Sequence, residues 1–485
     1  MARIKKYVAA VLATVLLLAG LWGAMAASPA DYDVHAPQDL QADHLYAESA
    51  LLIDAETGEI IFSKDSRVRM YPASTTKIMT LLLALESGIG LDAEVTIPEE
   101  AAEIPEGSSV IPIKPGDITT FRDLLYGFML SSGNDGANAI AALVDGSIGA
   151  FVRHMNERAE ELGCEGTHFV NAHGYHDPDH FTTAQDLARI SRAAMRNEVF
   201  RSISAAPSWD MTVTRSGKTG TATILNRNIL LQSDSKYYYP ECTGIKTGHH
   251  RRAGWCFVGS AERDDMRLIS VVLNCEEEDQ KWYDAARLFE YGFTRYERAS
   301  AQTLLERLKP VFNNVQITGV ADDDEQAGNL FLDLQLTEGG ELSRSVLKDS
   351  EAALDAAAEQ LADSLEIEWT RPLQAPIAEG EMLGTLRCTM PDGGHVTAEL
   401  TASRDVAEQP PETPTPTAEP TVSATPTPVP DGRSDLRSGR MILAGLAALL
   451  IVLVIAAVVL TMREQRRRAR RRAHRRTLKV THREK

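Results

Sequence analysis

The chain has 485 residues, 44% of them apolar and 24% charged, a globular composition with room for two or three domains. Its formal charge is −18; the last 23 residues hold 12 basic and 2 acidic side chains, so residues 1–462 carry −28. A body this acidic excludes nucleic acid as its natural partner and excludes a protein that lies flat on anionic lipid.

In chain order, Met1 to Ala26 has a basic start at Arg3, Lys5 and Lys6, an apolar run from Val8 to Leu21 and small residues at Ala24 and Ala26. These are the marks of a secretory signal peptide, so export is expected. Residues 45–300 then alternate strand-like and helical stretches. The stretch "SALLIDAETGEIIFSKD" predicts a hairpin turning at Thr57-Gly58, and "TTKIMTLLLALES" predicts a helix apolar on all sides and therefore buried. "FRDLLYGFMLSSGNDGANAIAALVDGS" predicts two helices broken at Ser131 to Asn134. "AGWCFVGSAERDDMRLISVVLNC" predicts two strands joined at Asp264-Asp265, and "YDAARLFEYGFTRYE" an amphipathic helix. Helices around an antiparallel sheet are the expected architecture, an α/β chain of the α+β kind.

Residues 305–405 predict a second, mostly β domain, with strands in "VFNNVQITGV", "NLFLDLQL", "LEIEWT", "GEMLGTLRCTM" and "HVTAELTAS" and one Ala-rich helix from about Ser345 to Leu365. Residues 406–433 are a Pro/Thr-rich linker with too few apolar side chains to fold. Met441 to Met462 is an uncharged stretch of 22 residues, long enough for a transmembrane helix. Residues 463–485 form a basic tail that the positive-inside rule places in the cytoplasm, with the body outside the membrane. Five cysteines, an odd number at spacings that match no metal pattern, are expected to be buried free thiols.

Three short motifs carry the chemistry. Ser74 and Lys77 stand three apart at a predicted helix start, where one turn puts both on one face. A helix N-terminus supplies backbone N–H groups suited to an oxyanion, and its positive field predicts a lowered pKa for Lys77, toward the range of a general base. Ser-x-x-Lys alone is cheap, since it recurs at Ser233 to Lys236 and at Ser345 to Lys348. Ser132-Gly133-Asn134 follows 58 residues after Ser74, and Lys246-Thr247-Gly248 follows 114 residues after Ser132. Ser-x-x-Lys, Ser-x-Asn and Lys-Thr-Gly in that order are the triple pattern of active-site serine penicillin-recognising enzymes. A second Lys-Thr-Gly at Lys218 sits among alternating threonines around Ser216-Gly217, a pattern that predicts an exposed hairpin turn.

With "YPASTTKIMT", "LSSGNDGANAI", "NAHGYHDPDHFTTAQDLARI", "NRNILL" and "GIKTGHHRRAGWCFVGSAER" in sequence, the chain resembles the low-molecular-mass penicillin-binding proteins that act as serine-type D-alanyl-D-alanine carboxypeptidases. The resemblance implies a penicillin-recognising serine-transferase/β-lactamase-like catalytic domain and no metal or cofactor. The loop histidines His173, His176 and His180, with Asp177 and Asp179, are accordingly read as non-metal residues. It further implies that Ser74 is the acylated nucleophile, that Lys77 takes its proton and that Ser132 relays a proton to the leaving amine. Asn134 would bond the peptide amide, Lys246 and Thr247 of the Lys246-Thr247-Gly248 motif would hold the terminal carboxylate with Arg227 in support, and the N–H groups of Ser74 and His249 would form the oxyanion hole. The implied partners are a peptidoglycan stem peptide ending in D-Ala-D-Ala, β-lactam inhibitors and the bacterial cell membrane. A class A-like β-lactamase, a D,D-transpeptidase or endopeptidase, and a catalytically dead wall-binding scaffold are the competing readings.

Overall fold

A computed structural model of the chain describes residues 39–391 and 393–410. The signal peptide, most of the linker, the stretch from Met441 to Met462 and the basic tail lie outside the described residues. Among the described residues no helix is long and apolar enough to cross a membrane.

The predicted first hairpin forms from β1 (Ser49–Asp54) and β2 (Ile60–Lys64), which pair antiparallel around Gly58 at φ +78°. A 3-10 turn, Ala73–Thr76, leads into α1 (Lys77–Glu86), whose residues Lys77 to Ala84 are all buried. Short strands β3 (Glu94–Thr96) and β4 (Ile118–Thr120) precede α2 (Phe121–Ser131) and α3 (Asn134–Asp145). The break between these helices falls where the sequence predicts it: Ser132 caps α2 in the left-handed region, φ 64° and ψ 36°, and donates its backbone N–H to Phe128 O. Then come α4 (Ile148–Glu161), α5 (Ala184–Met195) and α6 (Glu198–Ala205), with Ser147, Thr183 and Asn197 capping their N-termini through side-chain oxygens.

Next, β5 (Ser208–Arg215) and β6 (Lys218–Leu225) form the exposed hairpin expected around Ser216-Gly217, in a four-stranded sheet of order β3-β4-β5-β6. β7 (Cys242–His250), β8 (Gly254–Arg263) and β9 (Met266–Cys275) complete the main sheet, with order β2-β1-β9-β8-β7. The interior strands β8 and β9 are buried along nearly their whole length, because helices cover both faces. On one face Leu51, Ile53, Val258, Ile269 and Val271 pack with α1 to α6. On the other, Leu52, Phe257, Leu268 and Val272 pack with Trp282, Leu288 and Phe289 of α7 (Gln280–Arg295). β7 stands at one rim of the sheet, so its outer backbone groups have no strand partner among the described residues.

Beyond α7 the elements differ from expectation in two places. β10 (Tyr296–Ser300) is followed by α8 (Ala301–Phe312), a helix capped by Ser300. The predicted strand "VFNNVQITGV" thus begins inside that helix and keeps only β11 (Asn314–Gln316). Its buried residues Leu304, Leu305, Leu308 and Phe312 follow the helical period, and the valine and phenylalanine that look strand-like belong to the last turn. After β12 (Asn329–Glu338), Ser343–Leu347 forms β13, paired with β10, and α9 (Glu351–Ala362) starts only after the Ser350 cap. The strand was masked by the Ala-rich run that follows it. β14 (Glu366–Trp369), β15 (Met382–Thr389) and β16 (His395–Ala402) close a sheet of order β11-β12-β16-β15-β14, over a core of its own that includes Leu330, Leu383, Leu386 and Leu400. All five cysteines are buried and free.

Candidate active site

Ser74 lies in the 3-10 turn and not at the first residue of the helix, and none of its side-chain atoms caps α1. The preceding Ala73 is held at φ +48°, a left-handed conformation that costs an alanine of order 1–3 kcal/mol and persists only where its surroundings fix it. Those surroundings are on hand. Thr75 Oγ1 donates to Pro72 O at 2.7 Å, and Thr76 Oγ1 donates to Ala73 O at 2.8 Å. Thr76 Oγ1 also lies 2.8 Å from His180 Nε2. Gly174, at φ +83°, packs so closely on the turn that a Cβ there would collide with the Ala73 carbonyl.

Lys77 is fully buried, and its Nζ reaches Ser74 Oγ at 3.2 Å, Asn134 Oδ1 at 2.7 Å and His173 O at 2.8 Å. Two of these partners, an amide oxygen and a backbone carbonyl, can only accept. A neutral amine would give them its two protons and turn its lone pair to the Ser74 hydroxyl. The pKa of Lys77 is indeed lowered well below the usual lysine value, as the sequence predicts, but the cause differs. Burial is the largest effect, and the charges of Lys246 and Arg227 add to it.

Asn134 opens α3, and its amide is fixed from both ends, with Nδ2 donating to Ser108 Oγ at 3.0 Å. Ser132 is only 3% exposed, two residues earlier in the same left-handed bend, and its hydroxyl makes no hydrogen bond to Ser74 or Lys77 among the described residues. Next to it the Asp135 carboxylate is buried, accepts the Ile111 N–H at 3.0 Å and has its pKa raised to about 6, chiefly by burial.

The third motif arrives on β7. Lys246 is 2% exposed, and burial together with the charge of Arg227 pulls its pKa down to about 7. Its Nζ donates to Thr247 O at 3.1 Å, while Thr247 is half-buried. Gly248 is the point of closest approach: a Cβ there would stand 2.8 Å from Pro72 O and 3.1 Å from each of Ser74 N and Thr75 N. The absence of a side chain lets β7 lie directly against the serine turn. His249 stacks on Trp255 with ring centroids 3.7 Å apart. Arg227 reaches the region from the loop after β6, where its N–H donates to Leu130 O at 3.2 Å. Lys218, by contrast, is exposed in the β5–β6 hairpin. Ser345, in another Ser-x-x-Lys, sits on β13 and donates to Asp54 Oδ2 at 2.7 Å.

The profile of the family described as D-alanyl-D-alanine carboxypeptidase matches residues 35–277, a span holding all three motifs. The chain belongs to the D-alanyl-D-alanine carboxypeptidase family. Among curated members of this family, it is 31% identical over 357 residues to the D-alanyl-D-alanine carboxypeptidase DacF of Bacillus subtilis (strain 168), covering 73% of this chain and 83% of that one. It is 34% identical over 280 residues to DacB2 of Mycobacterium tuberculosis, covering 57% of this chain and 92% of that one. Crystal structures of penicillin binding protein 5 from Haemophilus influenzae superpose with a TM-score of 0.52 at 26% identity, over 76% of this chain and 99% of that one.

Within this carboxypeptidase, sequence reasoning missed the loop from Asn171 to Thr182 as a structural part of the site. Lys77 is held by the His173 carbonyl, Thr80 Oγ1 donates to Ala172 O at 2.5 Å, and Thr76 meets His180. The available signal was Gly174 next to His173 in "NAHGYHD". His173 and His180 both have their pKa lowered to about 3, chiefly by burial, so they serve as neutral hydrogen-bonding groups.

Proposed function

We propose that this protein removes the terminal D-alanine from peptidoglycan stem pentapeptides through an acyl-enzyme on Ser74. The observation that carries this reading is Lys77 Nζ, set between Ser74 Oγ at 3.2 Å and two pure acceptors. Burial and two neighbouring cations favour its neutral form. Lys77 takes the Ser74 proton as Oγ attacks the carbonyl of the penultimate D-alanine. The N–H groups of Ser74 and His249 receive the developing oxyanion, for which the approach of Gly248 to the serine turn brings the two chain segments together. Ser132 passes a proton to the departing amine, and Asn134 bonds the peptide amide. Lys246 and Thr247, with Arg227 nearby, hold the substrate's terminal carboxylate, which is the group that defines a carboxypeptidase. Water then attacks the ester with Lys77 again as base, and the peptide leaves one residue shorter.

Penicillins acylate the same serine in this reading. The export signal, the uncharged stretch from Met441 to Met462 and the basic tail support a single-pass protein of the bacterial cell membrane, its catalytic domain outside and its tail in the cytoplasm. The decisive experiment incubates the protein with a pentapeptide ending in D-Ala-D-Ala and weighs the product. Loss of one alanine is expected. An unchanged peptide alongside rapid penicillin hydrolysis would establish a β-lactamase instead, and transfer to an added amine a transpeptidase. Ser74→Ala should abolish covalent labelling by a fluorescent penicillin; labelling that persists would overturn the assigned nucleophile.

A further inference from the structure

We propose that a cleft beside Tyr71, walled by Arg69 and Arg252, binds a carboxylate carried by the substrate two to three residues upstream of the bond that is cut. The cleft has a volume of about 430 Å³ and is also lined by Met70, Pro178, Phe181 and Asn274.

The direction of the substrate follows from the reading of the catalytic residues above, on which this inference rests. Lys246 and Thr247 take the terminal carboxylate and the His249 N–H takes the carbonyl under attack. The substrate therefore runs antiparallel to β7, and its upstream residues continue past His250 toward the turn that holds Arg252. β7 is a rim strand, so a peptide can lie along it as an added strand. From His249 to Arg252 is at most roughly 10 Å of chain, the reach of two to three extended residues.

The cleft reaches the serine turn through Tyr71, which is one of its lining residues. Tyr71 is three residues before Ser74, and its ring lies 4.8 Å from His176 and 6.2 Å from His250, which are 5.2 Å from each other. Tyr71 thus belongs both to this aromatic group and to the cleft that the two arginines wall.

The charges are arranged for an outside anion. Arginines elsewhere in the fold, such as Arg158, Arg215, Arg263 and Arg404, close on carboxylates of their own chain. Arg69 and Arg252 are exposed and pair with no carboxylate among the described residues; Arg69 instead lies over the Phe181 ring at 4.5 Å. Carboxylates close by, among them Glu165, which shares a second pocket with Arg69, form no ion pair with either arginine among the described residues. Asp177 Oδ1 accepts the Asp179 N–H at 2.8 Å, and Glu48 accepts from Asn274 Nδ2 at 2.5 Å. In a body so acidic, two unpaired guanidinium groups at the upstream end of the substrate track favour a carboxylate, which their planar forks bind in bidentate fashion.

The test uses three peptides ending in D-Ala-D-Ala: a short N-acyl dipeptide, and two longer ones identical except that the residue two to three places upstream carries a side-chain carboxylate or its amide. The wild-type protein is expected to prefer the acid over the amide about tenfold in kcat/KM, mostly through KM, and the Arg69→Gln/Arg252→Gln double variant to lose that preference. Arg252→Glu should reverse it. Each variant should still cleave the short peptide and take a fluorescent penicillin at the wild-type rate, which verifies an intact fold. Equal rates on acid and amide with the wild type, or a preference that survives in the double variant, would overturn the proposal alone. Failure of the wild type to cleave any of the three would overturn the carboxypeptidase reading beneath it.

Discussion

Gly248→Ala offers the sharpest test of how the site is assembled. The new Cβ would lie 2.8 Å from Pro72 O and 3.1 Å from Ser74 N and Thr75 N, and all three atoms are backbone. No flexible side chain can swing away, so reaching an ordinary separation near 3.4 Å requires the serine turn and β7 to part by roughly 0.6 Å. Oxyanion donors work within about 2.7–3.1 Å, and losing one costs about 10²–10³-fold in rate. A shift of this size should therefore slow acylation by about 10²-fold. Overpacking should cost only about 1–3 kcal/mol of stability, leaving the variant folded. Gly220→Ala is the matched control in the other Lys-Thr-Gly, because nothing lies within 4 Å of a Cβ built there. The assay is stopped-flow acylation by a fluorescent penicillin, with thermal melting by circular dichroism in parallel. A folded Gly248→Ala protein that acylates at the wild-type rate would refute the claim that this contact sets the oxyanion geometry.

Other consequences can be checked with the same reagents. Lys246→Ala should impair acylation and D-alanine release strongly, whereas Lys218→Ala should leave both within about twofold, since Lys218 is exposed and Lys246 is 2% exposed. Lys246 must be charged to hold a carboxylate, so kcat/KM for the peptide should fall as pH rises through about 7 in the free enzyme. Arg227→Ala removes a like charge and should move that limb to higher pH; a flat profile from pH 6 to 9 would contradict this. The same shift has a stability sign. The folded pKa of about 7 lies below the ordinary 10.5, so the unfolded chain binds more protons between those values and stability rises with pH across that window. Lys246→Met should flatten the rise and raise Tm at pH 7, at the expense of activity; an unchanged melting profile would argue against a buried strained charge. Finally, buried Asp54 accepts from Ser345 Oγ at 2.7 Å and faces Arg298 at 3.6 Å, joining β1 to β13 and β10. Asp54→Ala should cost about 3–5 kcal/mol by denaturant titration, and a loss below 1 kcal/mol would show the link to be weak.

Local chemistry was readable wherever a few neighbouring residues decide the outcome. Gly58 and the Asp264-Asp265 pair mark hairpins, the all-round apolar run after Lys77 marks a buried helix, and the break at Ser132 falls at its predicted place. The order and spacing of Ser74, Ser132 and Lys246 identified the family without a single contact. Reading failed where one pattern adjoined another. The start of "VFNNVQITGV" is the last turn of α8, and β13 was hidden ahead of an Ala-rich helix. Only the folded chain decides what holds Lys77. Asn134 is 57 residues away and the His173 carbonyl 96, and no period or turn signal encodes that a backbone oxygen so remote will meet an amine. The flanking residues already separate the two Lys-Thr-Gly copies, whose tripeptides are the same, and the tertiary structure adds the contact that makes one of them part of the site. One glycine faces open solvent; the other lies against the backbone of the serine turn, where burial removes water from Lys77 and Lys246 and so changes their acidity. Sequence specifies which groups are present, while their desolvation and mutual distance arise only when segments far apart in the chain pack together.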